Sequence, residues 1–159
     1  MKTLRLILSL IILSSISCKK DTSARSDIIG KWKLQYIKSK ISIRDSIVDS
    51  LTINATNGDY IDFREDSKAY SNSWIAVGFN SEHKIEVTSH HNLDTNFYKV
   101  INDKLIGSKN NKSDTISIFQ LTNSSLIIGL DIKLFKVDTN ISIDSSNYII
   151  WNTKNYYTK

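Results

Sequence analysis

The segment Gly-Lys-Trp-Lys-Leu-Gln-Tyr-Ile-Lys, residues Gly30 to Lys38, has the clearest strand pattern in the chain. Trp32, Leu34 and Tyr36 fall on one face, and the lysine and glutamine side chains between them fall on the other. Successive side chains of a β-strand point to opposite sides of the sheet. This alternation therefore predicts a strand with one buried face and one solvated face.

Similar short stretches, rich in β-branched and aromatic residues, continue from Ile28 to Trp151. Turn signals such as Asn57-Gly58-Asp59 and Asn80-Ser81-Glu82 separate them, and the pattern predicts about ten short strands. Only residues 38–51 could also be interpreted as helical. Sequential hairpins favour an up-and-down meander, and closing it removes exposed sheet edges. We therefore predict an all-β fold, a single up-and-down β-barrel of about eight main strands.

The composition bounds the class of protein. The chain has 159 residues, one cysteine, no proline and 40% hydrophobic residues. One domain is the default at this length, and the apolar content is sufficient for a core. A single cysteine excludes an intramolecular disulfide framework.

The first residues have the layout of a secretory signal peptide. Lys2 and Arg5 precede an apolar run from Leu6 to Leu13, and small residues then lead to Cys18. The run is far shorter than the roughly 20 residues that a spanning helix needs. We therefore predict export rather than a transmembrane anchor.

The segment Ser15-Ile16-Ser17-Cys18 resembles the lipobox of bacterial lipoproteins. That resemblance implies a diacylglycerol thioether on Cys18, cleavage before it and acylation of the new amino group. The predicted organisation is a signal peptide over 1–17, a lipidated cysteine and flexible tether over 18–27, and a barrel domain over 28–159. The alternative is an ordinary signal peptide with an incidental cysteine.

The lipobox implies a location and a first partner. We expect the protein in the bacterial cell envelope, held on a membrane by its N-terminal lipid, with the outer membrane favoured. The net charge of +5 would fall to +3 on processing, because Lys2 and Arg5 are removed and no acidic residue is. The remaining basic residues are scattered along the sequence, so we expect no nucleic-acid partner.

The motif Gly30-Lys31-Trp32 resembles the opening of the first strand in the lipocalin-like lipoproteins of Gram-negative bacteria. Tyr60 to Asp66 resembles that family's strand and acidic turn, and Leu121 to Leu126 resembles its late hairpin. The resemblance covers Ile28 to about Trp151 and implies a lipocalin-like barrel. In such a barrel the glycine lets the chain bend tightly and Trp32 plugs the closed end.

In lipocalins an arginine from the last strand packs over the motif tryptophan. No arginine lies in the predicted last strand, Tyr148 to Trp151. Lys133 and Lys136 are the candidates to take that place, although lysine lacks the planar stacking surface of arginine.

Aromatic and apolar residues on many strands form the candidate site. They either fill the interior as core or line a cavity for one small ligand, and eight-stranded barrels do both. The residues that we single out for the core or cavity are Trp32, Leu34, Tyr36, Phe63, Trp74, Phe119 and Phe135.

The sequence contains only weak motifs for a catalytic or metal-binding site. His90 and His91, with His83 and Asp94 nearby, could share a metal only in a loop, because neighbours on a strand point to opposite faces. No nucleophile-elbow motif or phosphate-binding loop is present. We therefore predict no catalytic residues, no metal and no cofactor, and we do not expect an enzyme.

Two functions remain open from the sequence. The first is a membrane-anchored envelope lipoprotein whose barrel binds a small hydrophobic ligand. The alternative is a lipid-anchored interaction module with a packed, ligand-free barrel that binds an envelope protein as an inhibitor or assembly accessory. Polar loops predicted at Asn110–Asp114 and Asp138–Ser146 favour the second hypothesis.

Overall fold

The computed structural model describes residues 26–56, 58–135 and 148–159. Within these ranges the chain forms one short 3-10 helix and nine strands. No helix in them is both long and apolar enough to cross a membrane. The elements are the 3-10 helix Ser26–Ile28 and the strands β1 Gly30–Ile43, β2 Ser46–Asn54, β3 Tyr60–Phe63, β4 Lys68–Phe79, β5 Ile85–Ile101, β6 Lys104–Lys109, β7 Lys112–Leu121, β8 Ser125–Phe135 and β9 Tyr148–Thr158.

The strands form one closed antiparallel sheet. Its order is β2-β1-β3-β4-β5-β6-β7-β8-β9, and a further pairing of β1 with β9 closes the ring. The ring therefore contains β1 and β3 to β9, and β2 is an additional strand on β1. All its pairings except β1–β3 and the closing β1–β9 join consecutive strands. The predicted all-β fold, a single up-and-down barrel of eight main strands, is confirmed.

Strand β1 uses one edge for two partners. Its first residues, 30–33, pair with β3, whereas residues 36–43 pair with β2. The other edge of β1 pairs with β9 along nearly its whole length. Where the short strand β3 ends, β1 therefore pairs with β2 instead, and the outer half of β4 no longer has β3 as a neighbour.

A packed core fills the end of the barrel where the chain enters. The side chains of Ile28, Trp32, Phe63 and Leu126 are at most 1% exposed. The indole Nε1 of Trp32 donates a hydrogen bond of 2.7 Å to the carbonyl oxygen of Ile28. The 3-10 helix thus covers this closed end. Ser26 and Asp27, which the sequence assigned to the tether, belong to that helix.

Two turns make the strands longer than predicted. Arg44 and Asp45 have φ angles of 48° and 66°, and they connect β1 to β2. Residues 38–51 are therefore a hairpin, and the helical interpretation is wrong. Asn110 and Asn111 have φ angles of 50° and 63°. Asparagine tolerates this left-handed region, so the predicted polar loop is a tight turn between β6 and β7.

Four strand pairings contain a β-bulge, in which an extra residue in one strand shifts the register. The extra residue is Gln35 in β1, Val48 in β2 and Phe119 in β7, and in β5 it lies between Ser89 and Asn92. An extra residue changes the face on which the following side chains lie. The bulge at Gln35 therefore turns Tyr36 to the outer face, whereas Leu34 and Ile37 on either side of it are buried.

Candidate functional site

The end of the barrel opposite the core is covered by the outer parts of β4 and β5, residues 75–89, which we call the β4–β5 arm. The Phe79 ring meets the Trp151 ring edge to face, with centroids 5.3 Å apart and planes at 64°. The backbone N–H of Ile85 donates a 2.8 Å hydrogen bond to Oδ2 of Asp49. These two contacts join the arm to the strands on the far side of the opening.

The two contacts involve β9 and β2, the strands on either side of β1, at the same position along β1. Ile41 of β1 is the register partner of Trp151 on one side and of Asp49 on the other. The tip of the arm therefore lies across the inner face of β9, β1 and β2. The indole Nε1 of Trp151 donates a 2.9 Å hydrogen bond to Oγ of Ser39, which is 3% exposed. This bond fixes the ring against which Phe79 packs.

Several apolar side chains at this end face inward and yet remain exposed. Leu51 lies opposite the buried Ser39, Val87 opposite Val77, and Leu134 opposite Ile149. Their exposed fractions are 42%, 42% and 40%. Register places them on the same face as Trp151 or Phe79. We call this set, with Phe79 and Trp151, the apolar mouth.

The mouth is open because two strands end early. Pairing of β7 with β8 stops at Ser117 and Gly129, although β8 continues to Phe135. The turn at Asn110 and Asn111 also ends β6 and β7 halfway up the barrel. The wall beside the mouth is therefore interrupted, and solvent reaches inner apolar residues.

A polar groove of about 460 Å³ lies below the arm on β5, β6 and β7. The Lys109 ammonium group forms a salt bridge with Oδ1 of Asp94, and Asn96 donates a 3.1 Å hydrogen bond to its Oδ2. The hydrogen bond from Lys109 lowers the pKa of Asp94 below its usual value. This wall is charged and polar, so it does not extend the apolar surface of the mouth.

Three of the candidate residues lie inside the barrel. Trp32, Leu34 and Phe63 are 0%, 8% and 1% exposed. Trp32 and Phe63 belong to the packed core of the closed end, away from the apolar mouth. Phe135 is the last residue of β8, opposite Tyr148.

The expectation of an interior position does not hold for Tyr36, Trp74 and Phe119. Tyr36 stacks on Tyr156 outside the barrel, and Trp74 is 41% exposed and stacks on His91. Phe119 is 40% exposed and lies under the Lys154 ammonium group at 4.1 Å. Tyr36 follows a bulge at Gln35, so simple alternation from Trp32 assigned it to the wrong face. Trp74 and Phe119 are adjacent to the inward-facing Ile75 and Ile118, so alternation itself places them on the outer face.

Phe79 was not among the singled-out residues. The alternation of Ile75, Val77 and Phe79 opposite Trp74 was a usable signal, because it separates the two faces of β4. No comparable signal indicated that β6 and β7 end early, which is what exposes the mouth.

The histidines and the cation over Trp32 also have defined positions. His90 and His91 are consecutive in β5, and His91 Nε2 lies 2.9 Å from Oδ1 of Asn72. Within the described ranges, no three His, Cys, Asp or Glu side chains are grouped to hold a metal ion.

The cation over Trp32 is Lys159 rather than Lys133, whose ammonium group lies over Tyr148.

Some sequence predictions lie outside the described residues. These are Cys18 and the signal peptide, Lys136, and the loop at Asp138–Ser146.

Comparison with solved structures gives a match to the crystal structure of a lipocalin-like protein from Bacteroides uniformis. The TM-score is 0.41 at 13% sequence identity, over 84% of this chain and 99% of that chain. No protein-family model matches the chain, and no curated protein matches it. The strand order described above is consistent with a lipocalin-like domain.

Proposed function

We propose that this protein binds a small apolar molecule at the apolar mouth, between the β4–β5 arm and the inner face of β9, β1 and β2. The observation that carries the proposal is the exposure of the inward-facing Leu51, Val87 and Leu134. Apolar side chains that face the inside of a barrel and still contact water gain free energy when a ligand covers them. The gain is about 25 cal/mol for each Å² of apolar surface removed from water.

Few contacts hold the β4–β5 arm across the apolar mouth. The Phe79–Trp151 ring contact is worth about 0.5–1.5 kcal/mol beyond burial. The Ile85–Asp49 hydrogen bond to a carboxylate adds about 1.5–3 kcal/mol. An apolar ligand that inserts beside Trp151 replaces the ring contact with one of the same kind, so displacing Phe79 costs little.

We further propose that the protein is an envelope lipoprotein anchored through lipid on Cys18, with the outer membrane as its location. The signal-peptide layout and the lipobox-like segment support this. Stable anchoring takes two or more acyl chains, and a lipoprotein cysteine supplies them. The proposed role is binding without catalysis, so it needs no cofactor.

Native mass spectrometry of the full chain, followed by organic extraction, tests the ligand proposal. We expect an apolar molecule at close to one per chain. Leu51→Glu and Val87→Glu should each abolish co-purification, because a carboxylate in the mouth repels an apolar ligand. Ile101→Glu is the matched control, because Ile101 is an exposed apolar residue on the outer face of β5. Retention of the molecule in both mouth variants would contradict the proposal.

A second candidate function rests on the edge strand β2. Ile47 and Val48 are 63% and 40% exposed, and β2 is the last strand in the sheet order. An exposed apolar edge can pair with an extended segment of a partner protein. Photo-crosslinking from position 47 in intact cells, in the parent and in Val48→Pro, tests this role. A crosslinked envelope protein that Val48→Pro eliminates would favour the interaction module over the ligand carrier.

A further inference from the structure

Two lysines lie directly opposite each other on the outer face of the barrel. Lys38 of β1 and Lys154 of β9 are register partners. Lys40 follows two residues along β1, on the same face. Like charges directly opposite each other in a sheet are destabilising. Within the described ranges, none of these three ammonium groups forms a salt bridge with a carboxylate.

The three lysines line a groove of about 500 Å³. Ser50 and Thr52 of β2 and Asn152 of β9 add hydroxyl and amide groups to its wall. The lining contains one acidic residue, Asp131, and its Oδ1 accepts a 2.6 Å hydrogen bond from Asn152. The groove is therefore concave and rich in donors, and it carries more positive than negative charge.

Aromatic rings contact two of the three lysines, Lys38 and Lys154, without neutralising their charge. Tyr36 and Tyr156 stack with centroids 4.4 Å apart, and the Lys38 ammonium group lies 5.5 Å from each ring centroid. Lys154 lies 4.1 Å from the centroid of Phe119. Cation–π contacts of this kind orient an ammonium group but leave its full charge available to a ligand.

A bound oxyanion would reduce the electrostatic repulsion among the lysine ammonium groups. Charges of one sign around a concave surface add their potentials and concentrate a counter-ion there. The non-bridging oxygens of a phosphate or phosphodiester are arranged tetrahedrally about phosphorus, so ammonium donors from different positions reach them more readily than the two coplanar oxygens of a carboxylate. We propose that the groove formed by Lys38, Lys40 and Lys154 binds a phosphoryl group, from either a soluble phosphate or a phospholipid headgroup. The three ammonium groups belong to the outer face of β1 and β9, although the groove that they line also touches Leu51 of the apolar mouth.

Two probes distinguish the sources. Calorimetric titration of the full chain with inorganic phosphate, at constant ionic strength, tests the soluble source. Co-sedimentation with vesicles of phosphatidylcholine and phosphatidylglycerol, compared with phosphatidylcholine alone, tests the headgroup. Saturable binding of either probe supports the proposal and names the source, whereas binding of neither overturns it.

Matched variants test whether these lysines make the site. Lys38→Gln with Lys154→Gln should weaken binding about tenfold or more, since two charge-assisted hydrogen bonds are lost. Lys99→Gln with Lys104→Gln removes the same charge from β5 and β6, across the barrel, and should leave binding within about twofold. Equal loss in both double variants would mean non-specific charge attraction and would overturn the proposal.

Stability provides an independent readout. Because Lys38 and Lys154 repel each other, the Lys38→Gln, Lys154→Gln variant should have a midpoint of thermal unfolding no lower than that of the parent. Lys40→Gln alone should also weaken binding, and it leaves the aromatic contacts of Lys38 and Lys154 intact. If the Lys40→Gln variant and the Lys38→Gln, Lys154→Gln variant both bind as tightly as the parent, the proposed site is refuted.

Discussion

The ammonium group of Lys159 lies 4.9 Å from the centroid of the Trp32 indole, at the closed end of the barrel. A Cβ atom added to Gly30 would lie 2.8 Å from Cε of Lys159. Gly30 therefore leaves room for the cation that packs over the tryptophan two residues later. The motif Gly30-Lys31-Trp32 and the residue after β9 form one structural unit.

Gly30→Ala should lower the free energy of unfolding by about 1–3 kcal/mol, because Gly30 has a φ of 126° and a Cβ would meet Lys159. Urea denaturation measures the change. Gly78→Ala is the control, because Gly78 has open space around it. A difference below about 0.5 kcal/mol between the two variants would contradict the role assigned to Gly30.

Phe79→Ala should release the β4–β5 arm from Trp151. Hydrogen exchange of backbone amides over residues 75–89 should become faster, while the amides of β1 and β9 near Trp32 keep their protection. Phe97→Ala, which truncates a 58% exposed ring on the outer face of β5, is the matched control. Equal exchange rates in parent and Phe79→Ala would show that the ring contact does not hold the arm.

Alkaline stability should depend on Tyr157. Burial raises the pKa of Tyr157 from 10.0 to about 12. The unfolded chain thus loses this proton at lower pH than the folded barrel. The resulting stabilisation is complete below pH 10 and is lost as the pH rises through 12. Tyr157→Phe should reduce the fall in stability over this range, and Tyr156→Phe, on the outer face of the same strand, should not.

Acid stability should depend weakly on Asp94. Lys109 lowers the pKa of this carboxyl from 3.8, so its stabilisation is present above about pH 4 and is lost as the pH falls below its folded-state pKa. The pair is partly exposed, so we expect only about 0.5 kcal/mol at neutral pH. Asp94→Asn should remove this increment at pH 7 and have no such effect near pH 2. Chemical denaturation at the two pH values measures it.

Cys18→Ala should release the protein from membranes or leave it unprocessed, because no thioether can form. Fractionation of cells followed by immunoblotting measures the distribution. Thr22→Ala, nearby in the same segment, is the control and should stay with the membranes. Unchanged membrane association of Cys18→Ala would mean that the lipoprotein proposal is wrong.

Much of the fold was predictable because it depends on local pattern. Strict alternation at Gly30 to Lys38 gave the first strand, and polar turns gave most hairpins. The bulges were not predictable, since an inserted residue interrupts the period of two without changing composition. For this reason Tyr36 was assigned to the interior. Trp74 and Phe119 were assigned there as aromatic residues, although alternation with Ile75 and Ile118 places them on the outer face.

The candidate site was less predictable than the fold. It depends on where paired strands stop, and this follows from a turn at Asn110 and Asn111 and from the separation of β7 from β8. Both are relationships between distant segments. Likewise, Lys38 and Lys154 are unremarkable in sequence, and only the β1–β9 pairing brings them together.

The pairing of β1 with β9 also sets the order in which this protein can fold. Gln35 bonds to Thr158 across 123 positions of the chain, so the ring closes only after nearly all of the sequence is available. Folds dominated by such distant pairings are slow, with folding times of about milliseconds to seconds. During synthesis, β1 therefore cannot pair with β9 until β9 has been made. A chain that cannot complete its tertiary structure early stays extended for longer, and such a delay would favour the export proposed above, in which the chain passes through a translocation channel before it folds.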